Sequence, residues 1–271
     1  MSTERKLRGS DFFATHPVFS LDEATAALMP EGKRASVVDR LKYHLKTGRL
    51  KRVTREIYAV APPTVSSDLF RPDPFLVANT MHPGGVFSHH SALELLGAAH
   101  SVWNQCTLYV VRRRRPLLLD GTTLRFLELP HPMQTNSRKQ LGTRRIERQG
   151  RLLEVTAPER TLVEGFSRPS LAGGLEELVR SAAGFTTLDL DLLDEVLCLY
   201  GVSKLWAATG WFLERFQKSF HVPDALLTRM EQRRPSSRSY IERGRRGGTL
   251  VRRWNLILPK DLLSLEEPDE R

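Results

Sequence analysis

The sequence has few of the features that stabilise secreted proteins or anchor proteins in membranes. Among its 271 residues only Cys106 and Cys198 are cysteines, and neither has a cysteine or histidine at ligand spacing. This argues against a disulfide framework and against a structural zinc site. No run of eighteen apolar residues occurs, and the charged residues 1–10 precede no apolar stretch. A membrane span and a secretion signal are therefore not expected, and a cytoplasmic protein is.

Positive charge is in excess, because the chain has 41 lysines and arginines against 31 acidic residues, a formal net charge of +10. A surplus of this size is common in proteins that bind a polyanion such as nucleic acid, but basic charge also keeps proteins soluble. Charge alone leaves both interpretations open.

The basic residues are gathered in clusters. Nine stand against Asp39 alone between residues 33 and 55, and nine arginines stand against two glutamates between residues 229 and 253. Shorter basic clusters lie at 112–115 and 138–151. From 154 to 200 acids outnumber bases nine to three. Because phosphate binding needs cations on one surface, this distribution predicts two surfaces of opposite sign.

Two helices and a hairpin are predicted within the first sixty residues. Ser20 is a favourable N-cap for a short helix over 21–28, with acids in its first turn. A second run, with apolar residues at helical spacing, ends at Gly48. Two short β-prone runs at 50–53 and 57–60 then predict a hairpin. A basic hairpin after a basic helix is typical of a winged helix-turn-helix.

The predicted fold class is α/β or α+β, in two domains. A winged helix-turn-helix DNA-binding domain is expected over residues 1–64, and a larger mixed α/β domain over 65–271. Closely spaced prolines between 61 and 74 predict the linker, since proline interrupts helices and central strands. A length above that of one typical domain agrees with this division.

The larger domain is predicted to combine strands and helices. Ser88 is expected to cap a helix over 89–96, and Pro158 to begin a helix that ends at Phe166. Strands are expected at 107–111, 123–129, 144–149, 152–155 and 250–258. Helical patterns dominate from 171 to 233.

The second helix and the hairpin carry the predicted DNA-binding residues, because such a helix enters the major groove while flanking cations contact phosphate. The residues predicted to face bases are Arg34, Ser36, Arg40 and Tyr43. The residues predicted to contact phosphates are Lys33, Lys46, Arg49, Lys51, Arg52 and Arg55. The alternative is that this basic face is an ordinary solvated helix surface.

Several short motifs resemble one family. They lie at Val18–Ala24, Arg40–Leu41, Lys46–Arg52, Ile57–Ala59, Val86–Gly97 and Val155–Val163. Together they resemble AbiEi-type antitoxins, transcriptional regulators of type IV toxin-antitoxin systems, over roughly the first two thirds of the chain. One departure is Glu56, at a position in the wing turn where this family usually has glycine. The resemblance implies a repressor of its own operon, acting on double-stranded operator DNA. It also implies an antitoxin that counteracts a nucleotidyltransferase-like toxin without a stable complex.

No residue is predicted to be catalytic or to bind a metal, and no cofactor is expected. The histidines at 82, 89, 90 and 100 lack a carboxylate or cysteine at matching spacing, so they are interpreted as structural. Asp189 and Asp191 resemble a nucleotidyltransferase carboxylate pair, yet no Gly-Ser element precedes them and they suit a helix start.

Two other functions stay open at this point. One is a nuclease or nucleotidyltransferase that a winged-helix domain directs to nucleic acid. The other is an RNA-binding protein whose main surface is the block 229–253. Within that block, further nucleic-acid contacts are predicted at Arg243, Arg245, Arg246, Arg252 and Arg253.

Overall fold

Helices and mixed sheets follow one another along the chain, which confirms the predicted α/β class. The structure, a computed structural model, describes residues 9–29, 34–135, 138–242 and 247–263. The helices are α1 (Gly9–Thr15), α2 (Leu21–Leu28), α3 (Arg34–Lys46), α4 (Pro74–Met81), α5 (His90–Leu95), α6 (Pro158–Ser167), α7 (Leu175–Ala183), α8 (Leu190–Tyr200), α9 (Ser203–Arg215), α10 (Asp224–Gln232) and α11 (Lys260–Leu263). The strands are β1 (Val18–Ser20), β2 (Leu50–Arg52), β3 (Ile57–Val60), β4 (Val86–Phe87), β5 (Gln105–Val110), β6 (Leu117–Leu119), β7 (Thr122–Glu128), β8 (Thr143–Arg148), β9 (Arg151–Thr156), β10 (Ser239–Tyr240), β11 (Thr249–Val251) and β12 (Leu256–Leu258).

The N-terminal elements form three helices beside a small antiparallel sheet of order β1-β3-β2. A reciprocal cap begins α2: the amide of Glu23 donates to Ser20 Oγ at 3.1 Å, and the amide of Ser20 donates to Glu23 Oε2 at 2.8 Å. After α3 the chain turns at Gly48, whose φ of +73° favours glycine. The helix predicted over 21–28 and the hairpin predicted over 50–60 are confirmed.

A six-stranded mixed sheet of order β6-β7-β5-β4-β9-β8 forms the centre of the molecule. Neighbouring residues of a strand point to opposite faces of the sheet, so Leu108 and Tyr109 of β5 mark the two faces of this sheet. Leu108 belongs to a core that also contains residues of α4, β1 and β3. Tyr109 packs with Leu171 on the other side, where Arg160 of α6 lies 5.7 Å from its ring. The N-terminal sheet and the α6 to α10 layer therefore lie on opposite faces.

The proline-rich stretch has neither helix nor strand from 61 to 73, as predicted. It ends at Asp73, whose carboxylate accepts hydrogen bonds from the amides of Phe75 and Leu76 and caps α4. No helix in the described ranges is long and apolar enough to cross a membrane.

Two local predictions are wrong. Ser88 does not cap α5; its hydroxyl lies 3.0 Å from His89 Nδ1, and His89 precedes the helix with a φ of +55°. The strand predicted over 250–258 is broken by a 3₁₀ turn that ends at Trp254. The break occurs because this indole is buried against Gly210 and its Nε1 donates to Glu214 at 2.6 Å, which turns the chain inward.

Candidate nucleic-acid interface

Helix α3 has one buried face and one exposed face. Val37 and Leu41 are buried, whereas Ser36, Arg40 and Tyr43 are exposed. These three residues recur at i, i+4 and i+7, so they form one stripe along the helix. Tyr43 is 65 % exposed, an unusual amount for a large aromatic side chain. The structure therefore brings three of the four residues predicted to face bases onto one solvent-facing stripe.

Arg34 lies apart from that stripe, at the first turn of α3. Its guanidinium is 2.8 Å from Glu56 Oε1 of the hairpin and 3.3 Å from Asp22 Oδ1 of α2. Helical geometry puts it about 160° from Ser36 around the axis. Arg34 therefore joins α3 to α2 and to the hairpin. Glu56, where the resemblance leads one to expect glycine, supplies one of its two carboxylates.

The C-terminal end of α3 packs on α1 through aromatic contacts. The ring of His44 lies 4.9 Å from that of Phe13, and the Arg49 guanidinium lies 5.0 Å over the same phenyl ring. Burial, together with Arg49 and Arg40, lowers the pKa of His44. His44 is therefore neutral near pH 7, where it fills space without adding charge to the exposed stripe.

The hairpin presents its cations in different ways. Arg55, in the hairpin turn, is exposed. Lys46 at the end of α3 and Arg49 directly before β2 are exposed too. Arg52 folds back over the turn and donates to the carbonyls of Thr54 and Arg55, at 3.2 and 2.9 Å. Its guanidinium thus stabilises the hairpin turn as well as carrying charge.

Lys51 requires a correction. Its Nζ donates to the carbonyl of Phe70 at 2.8 Å and to Asp120 Oδ2 at 3.1 Å, and its side chain is 22 % exposed. Lys51 therefore joins β2 to the proline-rich stretch and to the turn between β6 and β7. The predicted phosphate contact of Lys51 is corrected to this structural role.

The predicted basic block 229–253 is divided by internal ion pairs. Arg229 lies 2.8 Å from Asp194, and Arg234 lies 2.6 Å from Glu231. Arg253, predicted to contact nucleic acid, is half-buried and bonded to Glu214 and Glu231, so that assignment is corrected. Arg252 is exposed. Four other predicted contact residues lie outside the described residues: Lys33, Arg243, Arg245 and Arg246.

Asp120 and Arg151 position the N-terminal elements, and sequence reasoning did not find them. Asp120 holds Lys51, and Arg151 is bonded to Glu23 of α2. The paired residues are 69 and 128 positions apart. A single sequence carries no signal for pairs at such separations.

The groups considered for metal binding have structural surroundings. His89 packs against Tyr109, and burial lowers its pKa to about 4. His90 Nε2 lies 3.3 Å from Glu177 Oε1. Asp189 accepts from the amides of Asp191 and Leu192 and caps α8, so the predicted helix start is confirmed. Across the described ranges, no three histidine, cysteine or acidic side chains are grouped so that they could hold a metal ion.

The chain is similar in fold to a solved structure, the Rv2827c protein from Mycobacterium tuberculosis. The two share 17 % sequence identity with a TM-score of 0.57, over 92 % of this chain and 88 % of that chain. At this identity the likeness shows the fold alone. No protein-family model matches the sequence, and no curated protein does.

Proposed function

We propose that the chain is a sequence-specific DNA-binding transcriptional repressor whose residues 1–64 form a winged helix-turn-helix. The observation that carries this proposal is the exposed stripe of α3, with Ser36, Arg40 and Tyr43 in line and apolar residues on the opposite face. The order of α2, α3 and a hairpin paired with β1 supports it, because winged domains insert the second helix into the major groove.

The side chains divide into two roles. Ser36, Arg40 and Tyr43 face base edges, where an arginine fork matches the two acceptors of guanine. Lys46, Arg49 and Arg55 flank the stripe and contact phosphates, which fix orientation without sequence information. Arg34, paired with two carboxylates, links the start of α3 to α2 and to the hairpin.

We further propose that this repressor is the antitoxin of a type IV toxin-antitoxin system. The resemblance of its motifs to AbiEi-type antitoxins supports this part. The protein would then act in the cytoplasm, without a cofactor, on the operator of its own operon. It would counteract a nucleotidyltransferase-like toxin without forming a stable complex. The larger domain would orient the DNA-binding domain and provide the antitoxin activity.

Binding of the full chain to DNA from upstream of its own gene tests the repressor. Across a salt series, log affinity should fall linearly with log salt, and the operator should bind on the order of a thousandfold more tightly than scrambled DNA. Arg40→Ala should reduce that preference about tenfold or more. Lys42→Ala is the matched control, since Lys42 is exposed on α3 but lies off the stripe beside Asp39. An unchanged preference in Arg40→Ala would refute the assignment of the stripe to base reading.

Co-expression with the toxin encoded beside it tests the antitoxin. The wild-type chain should restore growth, and Arg40→Ala should also restore it although repression is lost. Loss of both activities in Arg40→Ala would contradict the division of roles between the domains. Failure of the wild-type chain to restore growth would contradict the antitoxin itself and leave the repressor standing.

A further inference from the structure

A cleft of about 880 Å³ opens at the end of the central sheet, where β4 begins and β5 ends. Its floor includes Val86, Tyr109 and Leu129, which belong to the side of the sheet that faces the α6 to α10 layer. The N-terminal sheet packs on the opposite side. The cleft is therefore separate from the proposed DNA-binding stripe, and its role does not rest on the proposed function.

One wall of the cleft is the arginine-rich segment that follows β5. Alternate residues of this segment, Arg112 and Arg114, line the cleft, whereas Arg113 and Arg115 do not. The amide of Arg113 donates to Glu128 Oε1 at 3.3 Å, which holds the segment to the end of β7. Substitutions of Arg112 or Arg114 therefore change the cleft, whereas a substitution of Arg113 changes the same segment outside it.

Lys139 also lines the cleft; it precedes β8, at one edge of the sheet, whereas the arginine segment leads into β6, at the other edge. A buried guanidinium holds the backbone at Lys139. Arg160 is fully buried, pairs with Glu164 at 2.8 Å, and donates to the carbonyls of Lys139 and Leu141 at 3.1 and 3.0 Å. The backbone at this side of the cleft is thus fixed before a ligand binds, as is usual for pre-formed ligand sites.

The charge of the cleft is only partly balanced. Glu154, which lines it, lies 2.6 Å from Arg145 Nε, so that pair is neutral. Within the part of the chain that the structure describes, no carboxylate lies at ion-pair distance from Arg112, Arg114 or Lys139. Glu128, whose Oε1 accepts from the amide of Arg113, also lines the cleft. Arg112, Arg114 and Lys139 therefore outnumber this one further carboxylate around a space with a partly apolar floor.

From this arrangement we infer that the cleft binds a nucleoside triphosphate, with the phosphates on Arg112, Arg114 and Lys139 and the base on Val86 and Leu129. Guanidinium forks suit phosphate oxygens, and several cations around one cleft suit a compact polyanion. The half-buried Val86 and Leu129 offer apolar surface to a base. The volume lies within the range of small-molecule sites, roughly 300 to 1,000 Å³.

His82 also lines the cleft and has a neutral ring. Burial and the nearby Arg114 lower its pKa, so near pH 7 it adds no charge and can hydrogen-bond to a base or ribose.

Calorimetric titration of the full chain with ATP, GTP, CTP and UTP, and with inorganic triphosphate, tests the site. At least one nucleotide should bind saturably and more tightly than inorganic triphosphate. Arg112→Ala and Arg114→Ala should each weaken it about tenfold or more, the usual loss for a charge-assisted phosphate contact. Arg113→Ala, the matched control, should leave the affinity unchanged. All three side chains are exposed, so thermal midpoints equal to that of the wild type confirm that the variants fold.

Three results would overturn the inference: no saturable binding by any nucleotide, equal affinity for inorganic triphosphate, or an equal loss in Arg113→Ala. The same variants separate this site from the DNA-binding stripe. Arg114→Ala should bind operator DNA like the wild type, and Arg40→Ala should bind nucleotide like the wild type.

Discussion

Arg151, at the start of β9, donates a hydrogen bond from its guanidinium to Oε1 of Glu23, in the first turn of α2. The other oxygen of the same carboxylate accepts from the amide of Ser20 and completes the cap of α2. One carboxylate therefore both begins this helix and joins it to the central sheet. Burial alone would raise the pKa of Glu23, but the hydrogen bonds from Ser20 and Arg151 outweigh it and lower that pKa.

Replacing Glu23 with glutamine should destabilise the protein by roughly 1 kcal/mol at pH 7, a small value because solvent screens this partly exposed pair. A lowered pKa in the folded state means that the contribution is present above the unfolded value, near 4.5, and is lost as pH falls through the folded pKa. The difference between wild type and Glu23→Gln should therefore disappear in acid. Urea unfolding at pH 7 and near pH 3 measures it.

Glu195→Gln is the control for this experiment, since Glu195 is exposed and lies in α8, away from the N-terminal helices. It should unfold like the wild type at both pH values. If the loss of unfolding free energy in Glu23→Gln is the same at both pH values, the charge of the Glu23 carboxylate contributes nothing to stability.

Lys51 and Lys46 are two lysines of the N-terminal elements for which we expect different roles. Because Lys51 is bonded to Asp120 and Phe70, Lys51→Ala should lower the free energy of unfolding by about 1 kcal/mol. It should leave the salt dependence of DNA binding unchanged. Lys46→Ala should leave stability unchanged and reduce the slope of log affinity against log salt by about 0.9, the loss of one phosphate contact. The reverse pattern would contradict the reassignment of Lys51.

The sequence could predict the local elements of this fold because their signals are local. Ser20 with Glu23 forms the cap that the pattern indicates. The strands predicted at 144–149 and 152–155 pair as a hairpin, and its turn residues Gln149 and Gly150 have the positive φ values, +49° and +77°, that a tight hairpin needs. Three of the four residues predicted to face bases lie on one stripe because helical periodicity follows directly from spacing.

The rest depends on partners that are distant in the sequence. The basic neighbours of Arg253 predict a nucleic-acid surface there, yet Glu214, 39 positions earlier, binds it. The same kind of signal predicts a phosphate contact for Lys51. A sequence shows how many basic residues a segment contains. How much of that charge stays exposed depends on which carboxylates the fold brings beside them.

Gly210 of α9 packs closely against Trp254, which ends the 3₁₀ turn between β11 and β12. A Cβ added at Gly210 would lie 2.3 Å from the buried indole. Gly210→Ala should therefore destabilise the protein by about 1 to 3 kcal/mol through overpacking, despite the better helix propensity of alanine. Adding Trp254→Phe should recover part of this loss, and thermal or urea unfolding of the two single variants and the double variant measures the coupling. A double variant that is merely additive would contradict direct contact as the cause.

The ion pair between Glu56 and Arg34 allows the contribution of the hairpin to DNA binding to be tested with a variant that should bind DNA more tightly. Glu56→Gln removes the carboxylate at 2.8 Å and leaves Arg34 only the pair with Asp22 at 3.3 Å. The freed guanidinium, together with the loss of a negative charge beside the phosphates, should tighten DNA binding and steepen its salt dependence by about 0.9 in slope. Adding Arg34→Ala to this variant should abolish the gain, whereas Arg34→Ala alone should change the slope little. Weaker binding by Glu56→Gln would instead mean that the Arg34 to Glu56 pair is needed to hold α3 and the hairpin in their DNA-binding arrangement.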